Sequence, residues 1–196
     1  KNKMCKMKLA ALAILATFGT AFAAELKREI SENAVTHSVV SPDGRLQAVF
    51  STDAGGMRWS LLRDGKVLVK PSAMGFNFAV GNDCDKEAAA FSAMRLSGVR
   101  RSSADTTWDT TLYRRGKVRD RYNELVVELE EMAPRAVSIE LGKTTVKKYP
   151  RRMDIVFRAY DEGVAFRYAF PQQPAFEGFQ IKDELTEWRF APDVMA

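Results

Sequence analysis

The sequence predicts an all-β domain made of two packed antiparallel sheets. Three observations support this prediction. Short segments that alternate apolar and polar residues recur from residue 33 onward, turn residues separate them, and helical periodicity is scarce. We therefore expect a single domain over residues 24–196, with the many short strands of a large β-sandwich.

The first half of the domain predicts two hairpins. "VTHSVV" and "RLQAVFSTD" flank the turn "SPDG", which covers Ser41 to Gly44. "MRWSLLRDGKVLVKP" then splits into two strands around Asp64-Gly65, a dipeptide favoured in two-residue hairpin loops. Both segments predict neighbouring antiparallel strands.

The second half predicts three strands with one apolar face each. In "NELVVELEE", Leu125, Val127 and Leu129 alternate with Glu124, Val126 and Glu128. In "MDIVFRAY" the apolar face carries Met153, Ile155 and Phe157, and in "VAFRYAF" it carries Val164, Phe166, Tyr168 and Phe170. The loop Asp161-Glu162-Gly163 joins the last two, and we expect Gly163 to adopt a positive φ in a bulged three-residue turn.

Residues 1–23 have the pattern of a secretory signal peptide. Four lysines precede an apolar run from Leu9 to Phe22, and Ala21-Phe22-Ala23 fits the small-residue cleavage rule. The run is short for a membrane span, and the alternative interpretation is a buried N-terminal helix. Cleavage removes four lysines and no acid, which lowers the formal net charge from +5 to +1. The mature chain therefore offers no basic surface that predicts binding to nucleic acid or to a membrane.

The cysteines agree with an exported protein that has no internal disulfide. Cys5 lies before the predicted cleavage site and Cys84 after it, so the mature chain keeps one thiol. We expect the protein to be periplasmic or secreted.

Few residues offer catalytic or metal chemistry. His37 is the single histidine, which excludes a zinc site of the His/Cys type and leaves a Ser/His/Asp triad only one possible base. The segment "KDELTEW" places Asp183, Glu184 and Glu187 within five residues, and carboxylate oxygens are the donors that Ca²⁺ prefers. The alternative is a solvated charge cluster, since calcium needs about six or more oxygens.

Trp59, Trp108 and Trp188 allow two interpretations. Their rings could stack on the apolar faces of sugars, or they could anchor the core. The sequence leaves both open.

Five stretches, in order along the chain, resemble the N-terminal domain of glycoside hydrolase family 97. They are "SPDGRLQAVFS", "RDGKVLVKPSAMGF", "ADTTWDTTLYRRGKVRDRYNELVVEL", "DIVFRAYDEGVAFRYAFP" and "IKDELTEWRF". The resemblance implies a galactose-mutarotase-like β super-sandwich, followed after residue 196 by a (β/α)8 barrel that carries the catalytic carboxylates. It also implies an exported, calcium-dependent α-glucosidase or α-galactosidase acting on oligosaccharides.

The resemblance further implies roles for four residues of this chain. A glutamate of the sandwich contributes to the calcium site in the family, and by motif position this is Glu184, with Glu187 as the alternative. Asn123 and Glu124 of "RYNEL" match the family pattern and are expected at the edge of the active site. No catalytic residue is expected within residues 24–196, so this part by itself should be inactive.

Two other functions stay open from the residues themselves. The sandwich could be a stand-alone carbohydrate-binding module that uses exposed aromatic rings, or a purely structural domain that supports a neighbour. A barrel-sized continuation of about 250 residues would separate the enzyme from both.

Overall fold

The computed structural model describes residues 30, 34–53, 55–80, 94–111, 116–131, 135–138, 147–173 and 179–192. Every regular element in these ranges is a β-strand and all pairings are antiparallel, which confirms the all-β prediction. Over the same ranges, no helix is long and apolar enough to span a membrane. The predicted signal peptide and both cysteines lie outside the described residues.

The strands are β1 (Val35–Val40), β2 (Leu46–Asp53), β3 (Gly56–Arg63), β4 (Lys66–Met74), β5 (Phe76–Val80), β6 (Met94–Asp109), β7 (Lys117–Glu131), β8 (Arg135–Ser138), β9 (Lys147–Tyr149), β10 (Arg152–Ala159), β11 (Val164–Ala169) and β12 (Phe179–Glu184).

The first sheet has the strand order β1-β2-β3-β4 and contains both hairpins predicted from the first half. Asp64 and Gly65 have φ values of 49° and 79°, and Arg63 pairs with Lys66 across the loop. Positive φ at both central residues defines a type I′ turn, whose twist matches that of the flanking strands. The Asp-Gly prediction is confirmed.

The second sheet has the order β11-β10-β7-β6 and contains the three strands predicted from the second half. The loop between β10 and β11 differs from the prediction. Its last ladder pair is Ala159 with Val164, so the loop has four residues, and Tyr160 donates its N–H to the Gly163 carbonyl at 2.8 Å. Gly163 has no positive φ, and the predicted bulge glycine was wrong. A four-residue loop can reverse the chain around a type I turn, which needs no left-handed residue.

The core lies between the two sheets and uses the faces predicted by alternation. Leu125, Val127 and Leu129 of β7 are fully buried, as are Met153, Ile155 and Phe157 of β10. The first sheet faces them with Ala48, Phe50, Met57, Trp59 and Val69. Trp59 is 1% exposed, so it is a core anchor and not a sugar platform.

A buried ion pair closes one end of the second sheet. Arg151 is 1% exposed, and its Nε donates to Glu131 Oε2 at 2.6 Å while its Nη2 donates to the other carboxylate oxygen. The Glu131 backbone N–H also bonds to the Arg151 carbonyl at 2.9 Å. The two residues therefore hold the end of β7 against the start of β10 through side chains and backbone together.

At the other end of the sandwich, the turn at residues 41–44 contacts the loop at residues 160–163. The Asp43 N–H of the "SPDG" turn donates to Asp161 Oδ1 at 2.8 Å, and Arg121 lies 3.4 Å from Asp161 Oδ2. The carboxylate of Asp161, in the loop between β10 and β11, thus connects the turn between β1 and β2 with β7. This contact fixes how the two sheets are aligned at this end.

Beyond Asn123, β6 and β7 continue as a two-stranded arm. The arm consists of residues 103–109 and 117–123, which pair in register from Ser103 with Asn123 to Asp109 with Lys117. Most of its side chains are exposed. At about 3.4 Å per residue, seven paired residues give the arm a length of roughly 20 Å. Its base, at residues 121–123, contacts the sandwich.

Candidate functional site

The residues predicted to bind calcium lie on an edge segment, residues 179–192, that borders the first sheet. Its first part, β12, pairs with β5, and Glu184 is opposite Phe76 in that ladder. Its second part continues along β4, where Glu187 donates its N–H to the Ala73 carbonyl and Ala191 donates to the Leu68 carbonyl, both at 2.9 Å. The edge segment therefore acts as a further strand that covers the free edge of β4.

Glu187 is held in place by this strand. Its carbonyl accepts the indole N–H of Trp59 at 3.1 Å, and its carboxylate accepts the Ala73 N–H at 3.3 Å. The first bond satisfies a buried donor of the core, which costs free energy when left unpaired. Glu187 thus has a structural role whether or not its carboxylate also contacts a metal.

Glu184 is in a different situation. Its side chain is exposed and makes no hydrogen bond or ion pair with any other residue in the described ranges. Its charge is felt by Tyr168, whose pKa is raised to about 12 by burial first and by the Glu184 carboxylate as a smaller cause. Tyr168 is held by a 2.7 Å hydrogen bond between its hydroxyl and that of Thr186. The Glu184 carboxylate therefore faces solvent beside the ring of Tyr168, which is held in place by its hydrogen bond.

A complete metal site is not assembled by the described residues. They contain no group of three or more His, Cys, Asp or Glu side chains that could hold an ion. Since calcium takes six to eight oxygens, Glu184 could supply only one or two of them. The donor chemistry fits calcium, but any further ligands would have to come from outside the described ranges, and the calcium assignment stays a prediction.

The edge segment also exposes an apolar strip, defined as Ile181, Leu185, Trp188 and Phe190. Their exposed fractions are 50%, 43%, 54% and 61%. Trp188 packs edge-on against Trp59 with ring centroids 4.6 Å apart, and it stacks on Phe166 of β11 at 5.8 Å and on Phe190 at 6.5 Å. The strip is thus the uncovered continuation of the core aromatic cluster. The sequence analysis missed it, although the apolar residues that alternate at 188 and 190 signal a strand face.

Asn123 and Glu124 lie on β7 of the second sheet, next to β1, which is the strand of the first sheet farthest from the edge segment. Asn123 donates from its side-chain amide to the Val40 carbonyl of β1 at 2.8 Å. Four strand spacings separate β1 from the edge segment, or about 19 Å. The structure therefore does not bring Asn123 and Glu124 together with Glu184 in one site.

Glu124 belongs to an ion-pair network on the outer face of the second sheet. Its carboxylate accepts from Arg158 Nε at 2.8 Å and from the Ser102 hydroxyl at 3.1 Å, and the pKa of Glu124 is lowered mainly by Arg158. Asn123 and Glu124 do line an open cleft of about 650 Å³ beside β1. Their observed partners give them a structural role, and their position at the edge of an active site stays a prediction.

His37 lies on β1, paired with Phe50 in the ladder. Burial, and secondarily the charge of Arg101, lower its pKa. The described part of the chain therefore holds this imidazole in its neutral form at pH 7, in a strand and not in a catalytic pocket.

Comparison with a family of known proteins decides the identity of the domain. Residues 39–196 match the family model described as glycosyl-hydrolase 97 N-terminal. The chain belongs to glycoside hydrolase family 97. The match covers both turns, the arm and the edge segment, so the resemblance seen in the motifs is confirmed across the described sandwich.

Solved structures of two glycoside-cleaving enzymes are similar to this fold. A family 97 enzyme from Pseudoalteromonas sp. strain K8, solved in complexes with panose and with acarbose, has a TM-score of 0.63 at 25% identity over 80% of this chain. A β-arabinopyranosidase has a TM-score of 0.61 at 25% identity, again over 80% of this chain. This chain covers only 20% and 21% of those two proteins. It spans about a fifth of the length of the enzymes that it resembles.

Proposed function

We propose that this domain is the N-terminal sandwich of an exported, calcium-dependent α-glycosidase that removes terminal α-linked glucose or galactose from oligosaccharides. The domain would support the catalytic barrel and supply Glu184 to a calcium ion. Membership of family 97 supports glycoside hydrolysis, and the panose and acarbose complexes of the Pseudoalteromonas enzyme support an oligosaccharide substrate. Calcium, α-specificity and export are the finer parts of the proposal.

The observation that carries the proposal is the pairing of Glu184 with the apolar strip. Four large apolar side chains exposed on one segment are typical of a surface that another domain covers, and the Glu184 carboxylate lies on the same segment. A second domain packed on the strip would bury these side chains and bring its own oxygen ligands toward Glu184. The strip and the carboxylate then form one interface, with calcium at its rim.

At that rim the chain's own residues have defined tasks. The three hydrogen bonds of Glu187, two with Ala73 of β4 and one with Trp59 of β3, hold the edge segment on the first sheet. The bond between Tyr168 and Thr186 fixes the chain next to Glu184. Glu184 would thus be positioned before metal or barrel arrives. Calcium, when bound, would polarise the glycosidic oxygen or orient water.

The test uses the full-length protein and the variant Glu184→Gln. We expect the half-saturating calcium concentration for hydrolysis of aryl α-glucosides and α-galactosides to rise at least tenfold, because a neutral amide replaces an anionic ligand. Glu162→Gln, in the exposed loop between β10 and β11, is the matched control and should behave as the native protein. Unchanged calcium dependence in Glu184→Gln would contradict the metal role. A loss confined to Glu187→Gln would transfer that role to Glu187.

Two further measurements test export and the location of catalysis. Intact mass of protein recovered from the periplasm or medium should correspond to a chain that begins at Ala24. Purified residues 24–196 should hydrolyse neither substrate, with or without calcium. Turnover by that chain would place catalytic groups in the sandwich and contradict the proposal.

A further inference from the structure

The arm carries the second exposed tryptophan of the described chain. Trp108 is 51% exposed and pairs across the arm with Val118, and no ring of another described residue stacks on it. Trp188 is equally exposed, but its ring stacks on Phe166 and on Phe190, which is itself exposed. Contiguous apolar patches are typical of protein contacts, whereas a single ring among polar groups is not.

The two faces of the arm differ in how their polar groups are used. On one face Asp105 and Arg119 form a bidentate ion pair, with bonds of 2.7 and 2.6 Å. Strand alternation places Trp108, Thr106 and Asp120 on the other face. There, Thr106 and Asp120 are direct cross-strand partners, and neither makes a side-chain hydrogen bond with another described residue. The face of Trp108 therefore offers a free ring, a free hydroxyl and a free carboxylate.

The spacing of these groups suits a sugar. Neighbouring positions on one face of a strand are about 6.8 Å apart, so the Thr106–Asp120 pair lies one such step from the Trp108 ring. An aromatic face attracts the C–H groups on the apolar side of a pyranose, because the ring face carries negative charge density. The Thr106 hydroxyl can then donate or accept a hydrogen bond and the Asp120 carboxylate can accept hydrogen bonds from the sugar hydroxyls, as the few polar groups of a ligand site do.

Tyr122 marks where this surface ends. It shares the face of Trp108, but the Arg158 guanidinium covers its ring at 4.2 Å and Tyr160 packs against it at 5.4 Å. Tyr122 thus anchors the base of the arm to the sandwich and is not available for stacking. The available surface is limited to the outer part of the arm.

We propose that the outer arm is a carbohydrate-binding site in which Trp108 stacks on one pyranose of a neutral oligosaccharide while Thr106 and Asp120 bind its hydroxyl groups. The choice of ligand class rests on the proposed function. The site is separate from the edge segment and contacts substrate away from the Glu184 rim. It would hold a chain of sugars by a second point of attachment.

The test measures the affinity of the 196-residue chain for maltohexaose, by isothermal titration calorimetry and by tryptophan fluorescence. We expect binding by the native chain, a loss of about tenfold or more in affinity for Trp108→Ala, and a smaller loss for Asp120→Asn. Trp108→Phe keeps a stacking ring and should keep part of the affinity. Trp188→Ala is the matched control, since it removes an equally exposed indole from the apolar strip, and it should bind as the native chain does. Thermal melting of each variant checks that the fold is kept.

Three results would overturn the site. They are no binding by the native chain at millimolar maltohexaose, equal binding by Trp108→Ala, or loss of binding in Trp188→Ala alone. If Trp108 becomes shielded from acrylamide quenching in the full-length protein and sugar binding is absent, the arm contacts another domain instead. Hydrolysis by the full-length protein without Trp108-dependent binding contradicts this site and leaves the proposed function standing. Trp108-dependent binding in a full-length protein that cleaves no glycoside supports this site and contradicts the proposed function.

Discussion

The core and the edge segment are both rich in aromatic side chains. The core buries them, whereas the edge segment leaves them exposed. Phe157 and Phe50 lie in the core with no exposed surface, whereas Phe190 of the edge segment is 61% exposed. Carboxylates follow the same division, since Glu131 is buried against Arg151 and Glu184 faces solvent without a partner in the described chain. Side chains whose contacts are complete stabilise the domain. Those whose contacts are incomplete point to something that binds from outside.

Truncating one phenylalanine in each region tests this division most strongly. Phe157→Ala should lower the free energy of unfolding by about 4 kcal/mol, because it removes a fully buried ring and leaves a cavity. Phe190→Ala should cost less than about 1 kcal/mol in this chain, because its ring is mostly solvated already. Urea denaturation of the 196-residue chain measures both. Similar losses for the two variants would show that the apolar strip is part of the core.

The two carboxylates give the next contrast. Glu131→Gln should lower the free energy of unfolding by about 3 kcal/mol, because it removes the negative charge that faces the buried Arg151 guanidinium. Glu184→Gln should leave stability unchanged in the absence of a metal. The double replacement Glu131→Leu with Arg151→Met should recover much of the loss, since it removes both charges together. If the double variant is no more stable than Glu131→Gln, the ion pair stabilises the fold by more than the desolvation of its two charges costs.

The smallest effect concerns Asp154, on the outer face of the second sheet. Burial raises its pKa, the neighbouring Glu128 carboxylate adds to the rise, and Arg100 opposes it. The folded state therefore binds the Asp154 proton more tightly than the unfolded state does. This contribution is fully present below the unfolded pKa and is lost as the pH rises through the folded pKa.

Asp154→Asn should accordingly be slightly more stable than the native chain at pH 7, and its advantage should shrink as the pH falls through the raised folded pKa and be gone below the unfolded pKa. Melting temperatures between pH 3 and pH 8 measure the difference. Glu162→Gln, in the exposed loop, serves as the control. An advantage that grows on acidification would mean that Arg100 outweighs burial at this site.

Local patterns predicted a large part of the fold. Alternation in β7, β10 and β11 identified the core faces, because in a strand each successive side chain points to the opposite side. Asp64-Gly65 identified a hairpin because few residues accept positive φ. The Gly163 prediction failed because loop length depends on where the ladder between β10 and β11 ends, and the two residues 159 and 164 that end it are set by sheet packing.

The candidate site was predicted only in part. The segment "KDELTEW" and its family resemblance singled out Glu184 and Glu187 together. Separating them required the contacts with Trp59 and Ala73, which lie more than a hundred residues away in sequence. The same holds for the exposed tryptophans, since Trp59, Trp108 and Trp188 are equivalent as letters and differ only in what surrounds them.

The sequence by itself thus determined β1 to β4, β7, β10 and β11, the inward faces of the last three, the hairpin at Asp64-Gly65 and the resemblance to family 97. These depend on near neighbours in the chain, where period and turn chemistry act directly. Tertiary structure alone decided that Arg151 meets Glu131, that Asp161 joins the two turns, and that the edge segment leaves Glu184 and the apolar strip uncovered. Each depends on which strands become neighbours, and that is settled by burying one shared core and not by any local pattern.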